Sequence, residues 1–463
     1  MIERFQSLAT AFADYAWGPW LLVLLLGGGG FFLIYTRFVP FRYIPHAIEI
    51  LRGRYDAPDD PGEVSHFEAL SAALAGTIGM GNVAGVALAI AIGGPGAIFW
   101  MWMSAILGVA TKFFTCTLAV MYRGRDSAGV LRGGPMYVIR EGLSRRWHWL
   151  AYFFAFFGLL GTLPVLQANQ LVQVVREVVF VENGWLAADG NHFTFNLALG
   201  LILTVATGVV IVGGLHRVAE VASRTVPTMA ALYVGATLLA IVLNLERLPS
   251  VIWLILEDAF TARSAASGTL LTVVLYGVQR GAFSNEAGIG TEAMAHGAAR
   301  TREPVREGLV AMLGPIVDTL FICSATAFMI LLSGEWHGDQ DGVTLTAAAF
   351  QRLLGTPGLV VLVVTVIAFA VTTILTYSYY GTQCAGFLFG AHHRHHFRWI
   401  YIGFITVASV ITLQAAISII DGAFALMAIP TMTSALLLAP RVKEAAQRYF
   451  AELGSAEAKL RQT

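Results

Sequence analysis

The sequence predicts an all-α, polytopic membrane protein, and three of its features lead to that fold class. Of its 463 residues, 57% are hydrophobic and only 13% are charged, whereas soluble domains carry about 25% charged residues. The mean hydropathy is +0.69. Apolar runs of the ~20 residues that a bilayer-spanning helix needs recur along the chain. We therefore expect a protein embedded in a lipid bilayer.

Composition also excludes several function classes. The 29 lysine and arginine residues balance the 29 acidic residues, so no net charge would attract a nucleic acid. The cysteines lie in apolar runs without metal-ligand spacing, which indicates buried thiols: Cys116, Cys323 and Cys384. The sequence contains no His-Glu-x-x-His or Gly-x-Ser-x-Gly motif, so we expect no intramembrane enzyme. Residues 1–10 lack the basic head and cleavage site of a signal peptide.

The apolar runs predict eleven membrane-spanning helices, each long enough to cross a bilayer. They lie at residues 16–36, 68–92, 97–121, 147–180, 194–214, 229–245, 267–293, 307–333, 357–389, 399–419 and 421–439. The run at 147–180 exceeds one straight span, which predicts a tilted helix or an interfacial turn at its end. The last two runs touch, so we predict a tight turn at Asp421-Gly422.

Basic residues set the predicted orientation. Most of the 29 lysine and arginine residues lie in alternate connections, of which residues 37–67 and 122–146 are the richest, and in the C-terminal tail. The opposite set of connections holds Arg4, Arg247, Arg263 and Arg352. Since cytoplasmic loops of membrane proteins carry the excess of lysine and arginine, we predict an external N-terminus and a cytoplasmic C-terminus.

Two of the predicted spans carry glycine clusters that break a helix. Residues 76–85 and 281–290 each combine several glycines with polar side chains near mid-span. An unwound backbone inside a bilayer is tolerated only where protein surrounds it or where it lines a water-filled cavity. The breaks therefore predict a functional region. Close packing of helices, as at Gly81-xxx-Gly85, is the alternative reading of the same glycines.

The two breaks lie in the second and seventh spans, five helices apart. By the predicted alternation of loops, these spans cross the membrane in opposite directions. A five-helix unit repeated with inverted orientation is typical of secondary transporters, whose binding site lies near the midplane between the repeats. We predict a first repeat at 68–245, an inverted second repeat at 267–439, an extra helix at 16–36 and a cytoplasmic tail at 440–463.

Each break also predicts a site for charged ligands. The half-helix after a break presents unpaired N–H groups and a partial positive charge, which suit a carboxylate. The half-helix before the break presents unpaired carbonyl groups, which suit a cation such as sodium. One broken helix can therefore hold the anionic end of a zwitterion together with a metal ion.

Other polar groups at membrane depth are candidates for the same site. Gln167 and Asn169, in the fourth span, would either hold a polar group of a ligand or join neighbouring helices by hydrogen bonds. Glu286 lies inside the second break. An intramembrane carboxylate is a functional hypothesis by default, and Glu286 is open to three roles: cation ligand, proton-binding group or cap on the broken backbone.

The eighth and ninth spans carry further polar residues. We expect Asp318, in the eighth span, to pair with Arg280 or Lys112 in a structural role. The ninth span offers a run of hydroxyl groups at helical spacing, with Thr372 and Thr373 at its centre. These hydroxyls would either coordinate sodium or bond back to the carbonyl of the preceding turn.

A set of longer motifs runs in order through most of the chain. They are Phe67-Glu68-Ala69-Leu70, Gly79-Met80-Gly81-Asn82-Val83-Ala84-Gly85-Val86-Ala87, Gly93-Gly94-Pro95-Gly96-Ala97-Ile98-Phe99-Trp100-Met101-Trp102, Gly133-Gly134-Pro135-Met136-Tyr137, Phe283-Ser284-Asn285-Glu286-Ala287-Gly288 and Tyr379-Tyr380-Gly381. In these motifs the chain resembles the alanine or glycine:cation symporter family, the sodium–alanine symporters of bacteria and archaea. That family is similar in fold to LeuT-type transporters, in agreement with the predicted inverted repeat.

The resemblance implies roles for individual residues. The amide groups near Met80 and Gly81 would receive the carboxylate of the substrate. The whole implied substrate site consists of Thr77, Gly79, Met80, Gly81, Asn82, Gln167, Asn169, Phe283, Ser284, Gly288 and Tyr377. The implied sodium site consists of backbone carbonyls and two hydroxyls, at Ala75, Ile78, Phe369, Thr372 and Thr373.

Two positions depart from the family pattern. The family commonly has threonine where Met80 stands and tryptophan where Tyr377 stands. Met80 removes a hydroxyl beside the carboxylate site, and Tyr377 changes the volume and polarity of the wall. The resemblance therefore implies a small neutral amino acid as substrate, with alanine and glycine as the named candidates.

Together these observations predict a secondary active symporter that imports a small neutral amino acid with sodium by alternating access. The alternative is a proton-coupled symporter that uses Glu286. A channel is disfavoured because the breaks fall in two inverted halves rather than around a symmetric axis. We expect a location in the plasma membrane of a prokaryote, or the inner membrane of a Gram-negative cell, with lipid around the protein and no obligate protein partner.

Overall fold

The structure is a computed structural model that describes residues 2–187, 190–261, 263, 269–338, 340, 342–411 and 414–460. Within these residues the chain is helical almost throughout, apart from a short hairpin, in which β1 (Gly124–Arg125) pairs antiparallel with β2 (Leu131–Arg132). The predicted all-α class is therefore confirmed. The predicted start of the second repeat, 267–268, and the end of the predicted tail, 461–463, lie outside the described residues.

The chain opens with helices that precede the two predicted repeats. After α1 (Ile2–Ala16) the helix axis breaks at Gly18, and Pro19 starts the next helix because its fixed φ and missing N–H suit a first turn. The following elements are α2 (Pro19–Leu22), a π-helical turn (Val23–Gly27), α3 (Gly28–Tyr35), α4 (Val39–Arg42) and α5 (Ile44–Leu51). The N-terminal helical segment thus begins well before the predicted boundary at residue 16.

The next helices carry the first break. In order they are α6 (His66–Thr77), a π-helical turn (Gly81–Gly85), α7 (Val86–Gly93), α8 (Ala97–Met121), α9 (Pro135–Gly142), a 3-10 turn (Arg145–Trp147), α10 (Trp149–Gly161), α11 (Val165–Val174), a π-helical turn (Val175–Val181), α12 (Phe193–Ile211) and α13 (Gly214–Leu243). The long run predicted at 147–180 is interrupted near its middle, because Pro164 stands directly before α11 and cannot donate a backbone hydrogen bond.

The remaining helices carry the second break. In order they are a 3-10 turn (Leu245–Arg247), α14 (Leu248–Thr261), α15 (Leu270–Asn285), α16 (Glu292–His296), α17 (Pro304–Ala311), α18 (Leu313–Pro315), a π-helical turn (Ile316–Cys323), α19 (Ser324–Ser333), a 3-10 turn (Glu335–His337), α20 (Gly342–Phe389), α21 (His393–Val410), α22 (Gln414–Leu426), α23 (Ala428–Leu437) and α24 (Ala439–Leu460). α20 is kinked at Gly355, whose φ is 66°.

Eight helical stretches in the described part are long and apolar enough to cross a membrane. They are Arg4–Tyr35, Ala97–Met121, Arg145–Val181, Phe193–Ile211, Gly214–Leu243, Pro304–Ser333, Gly342–Phe389 and Ala416–Leu437. A ninth is the pair His66–Thr77 and Gly81–Gly93, whose axes meet at 53°. The chain is therefore a polytopic helical membrane protein, and the number of eleven spans stays a prediction.

Two local predictions are wrong. Asp421-Gly422 does not form a tight turn but lies inside α22. Glycine suits that helix position because α1 packs very closely on it, and a Cβ atom at Gly422 would lie 3.2 Å from the Ala13 Cα. The predicted loop after the sixth span contains the helix α14. Asp258 on this helix accepts a hydrogen bond from the Gly96 amide at 2.9 Å, which fixes α14 at the start of α8.

Ten arginines lie in four segments at one end of the bundle, and we call these segments, residues 52–65, 122–134, 297–306 and 390–398, the arginine-rich end. Asp126 organises this end: its carboxylate accepts the amides of Ala128 and Val130 at 2.9 and 3.0 Å and pairs with Arg394 at 2.7 Å. Burial alone would raise the pKa of Asp126, but these amides and Arg394 hold that pKa below its ordinary value.

Candidate functional site

The first broken helix unwinds directly after α6. That helix ends at Thr77, and Ile78 has an extended backbone with φ −74° and ψ 94°. Asn82 holds the unwound turn, because its Oδ1 accepts the Gly79 N–H at 2.8 Å and its own N–H donates to the Gly79 carbonyl at 3.2 Å. The predicted first break is confirmed. The helical turn that follows from Gly81 directs its first amide groups into this region.

The long helix α20 packs against the unwound turn. A Cβ atom at Gly79 would stand 2.6 Å from the Thr373 Oγ1, so glycine allows this hydroxyl to reach the broken backbone. Thr373 Oγ1 and Thr372 Oγ1 donate to the Phe369 carbonyl at 2.9 and 3.1 Å. All three side chains on α20 are buried. The structure thus gathers three of the oxygen atoms that the resemblance implies as cation ligands beside the first break.

The remaining two implied cation ligands lie on the other wall of that region. Ala75 precedes the break by a few residues on α6, and Ile78 stands in the unwound turn. Both residues are buried. An unwound turn leaves carbonyl groups without helical partners, and such oxygens are the ligands that hard cations take in proteins.

The second break separates α15 from α16. α15 ends at Asn285, and Glu286 adopts a left-handed backbone with φ 56°, which is rare for a residue other than glycine. Gly288 and Gly290 follow with φ 88° and 98°, and α16 begins at Glu292. The predicted second break is therefore confirmed. Strained backbone of this kind tends to occur at functional sites.

A buried carboxylate joins the two breaks. Asp318 accepts hydrogen bonds from Asn82 Nδ2 at 2.6 Å and from Ser284 Oγ at 2.8 Å. Asn82 belongs to the first break and Ser284 to the end of α15, so Asp318 cross-links them from a third helix. Neither Arg280 nor Lys112 forms an ion pair with Asp318 at 4.0 Å or less among the described residues, although the charge of Lys112 acts on this carboxylate at longer range.

Glu286 also has a hydrogen-bond partner for each of its carboxylate oxygens. Its two carboxylate oxygens accept the Tyr377 hydroxyl at 2.8 Å and the Thr291 hydroxyl at 2.5 Å, and its side chain is buried. Lys112 and Glu292 are buried in the same region and interact with it electrostatically. Glu286 therefore ties the second break to Tyr377 on α20.

A cavity of about 440 Å³ opens beside the end of α15, next to the second break. Three of the implied substrate residues line it, namely Gln167, Phe283 and Tyr377. Gln167 is 5% exposed, and its Oε1 has no hydrogen-bond partner in the described structure. A smaller cavity of about 240 Å³ is lined by Met80 and Gly81 and shares Phe283 with the first. Small-molecule sites typically have such volumes, with few polar groups among apolar walls.

Other implied substrate residues lie outside these cavity walls. Gly79, Asn82 and Ser284 lie in or next to the breaks. The Thr77 hydroxyl bonds back to the Leu74 carbonyl at 3.4 Å. The Asn169 amide donates to the Ile411 carbonyl at 2.7 Å, which is the helix-joining role that the sequence left open for it. Gly288 faces Leu25 and Met432, and a Cβ atom there would lie 2.7 and 2.9 Å from them.

The arginine-rich end is closed beneath the breaks. The backbone of the segment before α6 pairs with the segment after α16: the Glu63 amide donates to the Ala298 carbonyl at 2.8 Å, and the Arg300 amide donates to the Val64 carbonyl at 2.6 Å. These two segments lead into the two broken helices. The paired backbone therefore holds both broken helices together at this end.

Four side chains complete this closure, and we call His66, His296, Glu307 and Arg123 the closing cluster. Glu307 accepts the Nδ1–H groups of His66 and His296, the latter at 2.5 Å, and all three side chains are buried. Arg123 donates to the carbonyls of Gly297, at 2.7 Å, and Ala299. Burial, opposed by nearby Glu307, lowers the pKa of Arg123 to about 10, so the guanidinium stays charged at neutral pH.

Some residues of the cavity escaped the sequence reasoning. Arg280 of α15, Asp421 of α22 and Asp14 of α1 all line the larger cavity. The sequence signal that could have identified these residues is a charged side chain at membrane depth, which is costly and usually functional. The sequence analysis used this signal for Arg280 only as a structural partner of Asp318. The contribution of α1 had no local signal, because it depends on how this helix packs on α22.

Comparison with known proteins agrees with these features. The family described as "Sodium:alanine symporter family" matches residues 2–462. A protein of Haemophilus influenzae described as an uncharacterized transporter is 39% identical over 97% of each chain. The sodium/alanine symporter AgcS of Methanococcus maripaludis is 35% identical over 98% of this chain and 99% of its own length.

A solved structure shares the fold. The crystal structure of MhsT in complex with L-phenylalanine superposes with a TM-score of 0.58, at 13% identity, over 82% of this chain and 89% of that chain. This similarity supports the LeuT-like fold that the family resemblance implies. At that level of identity it bears on the fold alone.

Proposed function

The chain belongs to the sodium:alanine symporter family, and from this premise we propose that it imports a small neutral amino acid, alanine or glycine, together with sodium. Its named relatives are transporters and not enzymes. The observation that carries the proposal is the meeting of two broken helices beside two adjoining cavities that share Phe283, with buried hydroxyl and carbonyl oxygens on α20 next to the first break.

The substrate would bind across the two breaks. Its carboxylate would meet the first amide groups after the unwound turn, at Met80 and Gly81, where the positive end of a half-helix favours an anion. Its side chain would occupy the cavity walled by Phe283 and Tyr377, and Gln167 would accept a hydrogen bond from the substrate on its unpartnered Oε1. Thr77, Gly79, Asn82, Asn169, Ser284 and Gly288 complete the proposed substrate set.

Sodium would travel as a second substrate. Its proposed ligands are the carbonyls of Ala75, Ile78 and Phe369 with the hydroxyls of Thr372 and Thr373. The two hydroxyls bond to the Phe369 carbonyl in the described structure, and rotation of each would turn a lone pair towards a cation. An ion held between α6 and α20 would stabilise their contact, which gives a physical route for coupling the ion to the conformation.

The helices support an arrangement of two inverted repeats. We assign the first repeat to 68–245 and the second to 267–439, with the segment at 16–36 as an added helix and 440–463 as a tail. The first repeat would hold α6 to α13 and the second α15 to α23. Each set begins with a broken helix, followed by four membrane-long apolar stretches in the first set and three such stretches together with α21 in the second. A broken helix in each half is typical of inverted-repeat transporters.

The arginine-rich end would face the cytoplasm, with the protein in the plasma membrane of a prokaryote and its N-terminus outside. Single cysteines test this orientation. A cysteine at Asn183 should react with an impermeant thiol reagent added to intact cells, whereas one at Ser127 should react only after the membrane is opened. Both positions are exposed, and the native cysteines are buried. External labelling at Ser127 would reverse the proposed orientation.

During alternating access, the closing cluster would act as the barrier on the cytoplasmic side. The described structure is closed at the arginine-rich end, while Asp14 at the mouth of the larger cavity is exposed. Release of the substrate into the cytoplasm would require Glu307 to part from His66 and His296.

Proton coupling through Glu286 is the second candidate. The observation in its favour is that this buried carboxylate bonds directly to Tyr377, which lines the cavity. Loss or gain of a proton at Glu286 would change that wall of the site.

Counterflow in proteoliposomes tests the proposed substrate and ion together. Vesicles preloaded with one amino acid are diluted into a trace of labelled alanine, first in sodium and then in potassium medium, and a panel of amino acids is used for preloading. We expect exchange with alanine or glycine in sodium medium and none in potassium medium. Exchange restricted to large or charged amino acids would contradict the proposed substrate class.

A further inference from the structure

The larger cavity holds charged side chains that the proposed substrate site does not use. Arg280 projects from α15 one turn before Phe283, and Asp421 and Asp14 face the same space from α22 and α1. The cavity therefore contains one cation and two carboxylates, and Arg280 also lines the smaller cavity beside the first break.

Arg280 forms no ion pair at 4.0 Å or less within the described part of the protein, and Asp421 acts on it only at longer range. Its Nε is buried and has no hydrogen-bond partner. Neither carboxylate forms an ion pair with it at 4.0 Å or less, although Asp421 feels the charges of both Arg280 and Asp14. A guanidinium at membrane depth without a partner is costly. Such a group persists where water or a ligand completes its hydrogen bonds.

The packing of α1 against α22 fixes the position of Asp14. Trp17, at the end of α1, donates its indole N–H to the Asp421 backbone carbonyl at 3.2 Å, and its ring lies 6.3 Å from the Phe283 ring. The close approach of Gly422 to Ala13 locks α1 against α22. This close contact between α1 and α22 holds Asp14 at the wall of the cavity.

We propose that Arg280, Asp421 and Asp14 form a capture site that binds the zwitterionic head of an amino acid before it reaches the two breaks. This inference rests on the proposed function, since it adds a step on the path of the same substrate. The guanidinium matches a carboxylate, to which arginine can donate two parallel hydrogen bonds. The two aspartates match the ammonium group. Gln167, whose Oε1 is unpartnered, lines the same cavity, and Arg280 connects this cavity to the smaller one that Met80 and Gly81 line.

The arrangement also explains a preference for neutral amino acids. A zwitterion compensates both signs of charge at once. An anionic amino acid would place a second carboxylate beside Asp421 and Asp14, and a cationic one would place its extra charge beside Arg280. Like charges in such a partly buried space repel more strongly than in water. The capture site would thus contribute to selection before the substrate is bound centrally.

The test compares alanine uptake by Arg280→Gln, Asp14→Asn and the double variant in proteoliposomes, with Arg352→Gln as control. Arg352 is an exposed arginine on the same side that lies outside this cavity. We expect the uptake efficiency at low alanine to fall about 10- to 100-fold in Arg280→Gln, the usual effect of losing a hydrogen bond between charged groups. The Arg352→Gln variant should match the wild type.

Asp14→Asn supplies the sharper readout, because Asp14 lies on α1 and outside the proposed central site. We expect it to reduce uptake efficiency, and the effects of Asp14→Asn and Arg280→Gln to be non-additive in the double variant, as for groups that act on one ligand. The concentration of sodium for half-maximal uptake should stay unchanged. Wild-type alanine affinity in both single variants would overturn the capture site and leave the proposed function intact. Absence of alanine uptake by the wild type would overturn both.

Discussion

Replacement of Thr373 by valine removes one proposed sodium ligand and little else. Valine keeps the β-branched shape that the buried helix position accommodates. The lost hydroxyl donates to the Phe369 carbonyl at 2.9 Å, and that carbonyl keeps the Thr372 hydroxyl at 3.1 Å. We therefore expect the cost in folding stability to be about 1 kcal/mol, the usual net value of one hydrogen bond.

The effect of Thr373→Val on sodium binding should be larger than its effect on folding stability. A hydrogen-bonding or coordinating contact to a charged group is worth about 1.5–3 kcal/mol, which corresponds to a roughly 10- to 150-fold increase in the sodium concentration for half-maximal uptake. Alanine affinity at low sodium should fall as well, because the coupling between two ligands is reciprocal. At saturating sodium much of this loss should be recovered, which a direct contact of Thr373 with the amino acid would not allow.

The assay is a sodium titration of labelled alanine uptake by wild type and variant at several alanine concentrations. Thr376→Val is the matched control: Thr376 is a buried threonine less than one turn further along α20, and its hydroxyl donates to the Ala72 carbonyl at 3.2 Å. An unchanged sodium dependence in Thr373→Val would move the ion site away from α20. An equal loss in both variants would show a general effect of weakening the contact between α6 and α20.

Three further predictions test other parts of the account. Gln167→Ala should weaken apparent alanine affinity about 5- to 150-fold, since the substrate group it bonds would be left unpaired at a cost of ~1–3 kcal/mol. Gln351→Ala, at an exposed position outside both cavities, should not, and normal affinity in Gln167→Ala would assign the residue to helix packing. Glu307→Gln should open the arginine-rich end, seen as faster cytoplasmic labelling of a cysteine at Ala72, with Glu303→Gln as control; unchanged labelling would show that the closing cluster is not a barrier. Asp126→Asn should lower the melting temperature of the detergent-solubilised protein at neutral pH. Because the pKa of Asp126 is held low, the stabilisation by this carboxylate is present above its ordinary pKa of about 4 and is lost as the pH falls through the lowered value. The difference in melting temperature between the wild type and Asp126→Asn should therefore shrink in acid, and a difference that grows in acid would contradict this reasoning.

The sequence could predict the breaks because their cause is local. Glycine and polar residues at mid-span cannot continue a stable helix in lipid, and both breaks are found where the glycines stand, with positive φ at Gly288 and Gly290. The pairing of Thr373 with the unwound turn at Gly79 came instead from the family resemblance. No local rule brings residues of α6 and α20 together.

Features that depend on distant packing could not be predicted. Asp421-Gly422 has the composition of a turn, but its helix is completed by the close contact of α1 with Gly422. Asn169 and Gln167 look alike in sequence, yet they lie about half a helical turn apart, so that one faces Ile411 and the other the cavity. The closing cluster joins residues from four separate segments, and the sequence gives no hint that Glu307 lies between two histidines.

The central claim is that sodium drives the amino acid inward, and an imposed gradient tests it most directly. Purified protein is reconstituted into vesicles with potassium medium inside, and labelled alanine is added with sodium outside at equal pH on both sides. The account predicts that alanine accumulates above its external concentration and leaves again when the sodium gradient is abolished. Accumulation driven by an inward proton gradient in sodium-free medium would contradict sodium coupling and favour the role of Glu286 as a proton carrier.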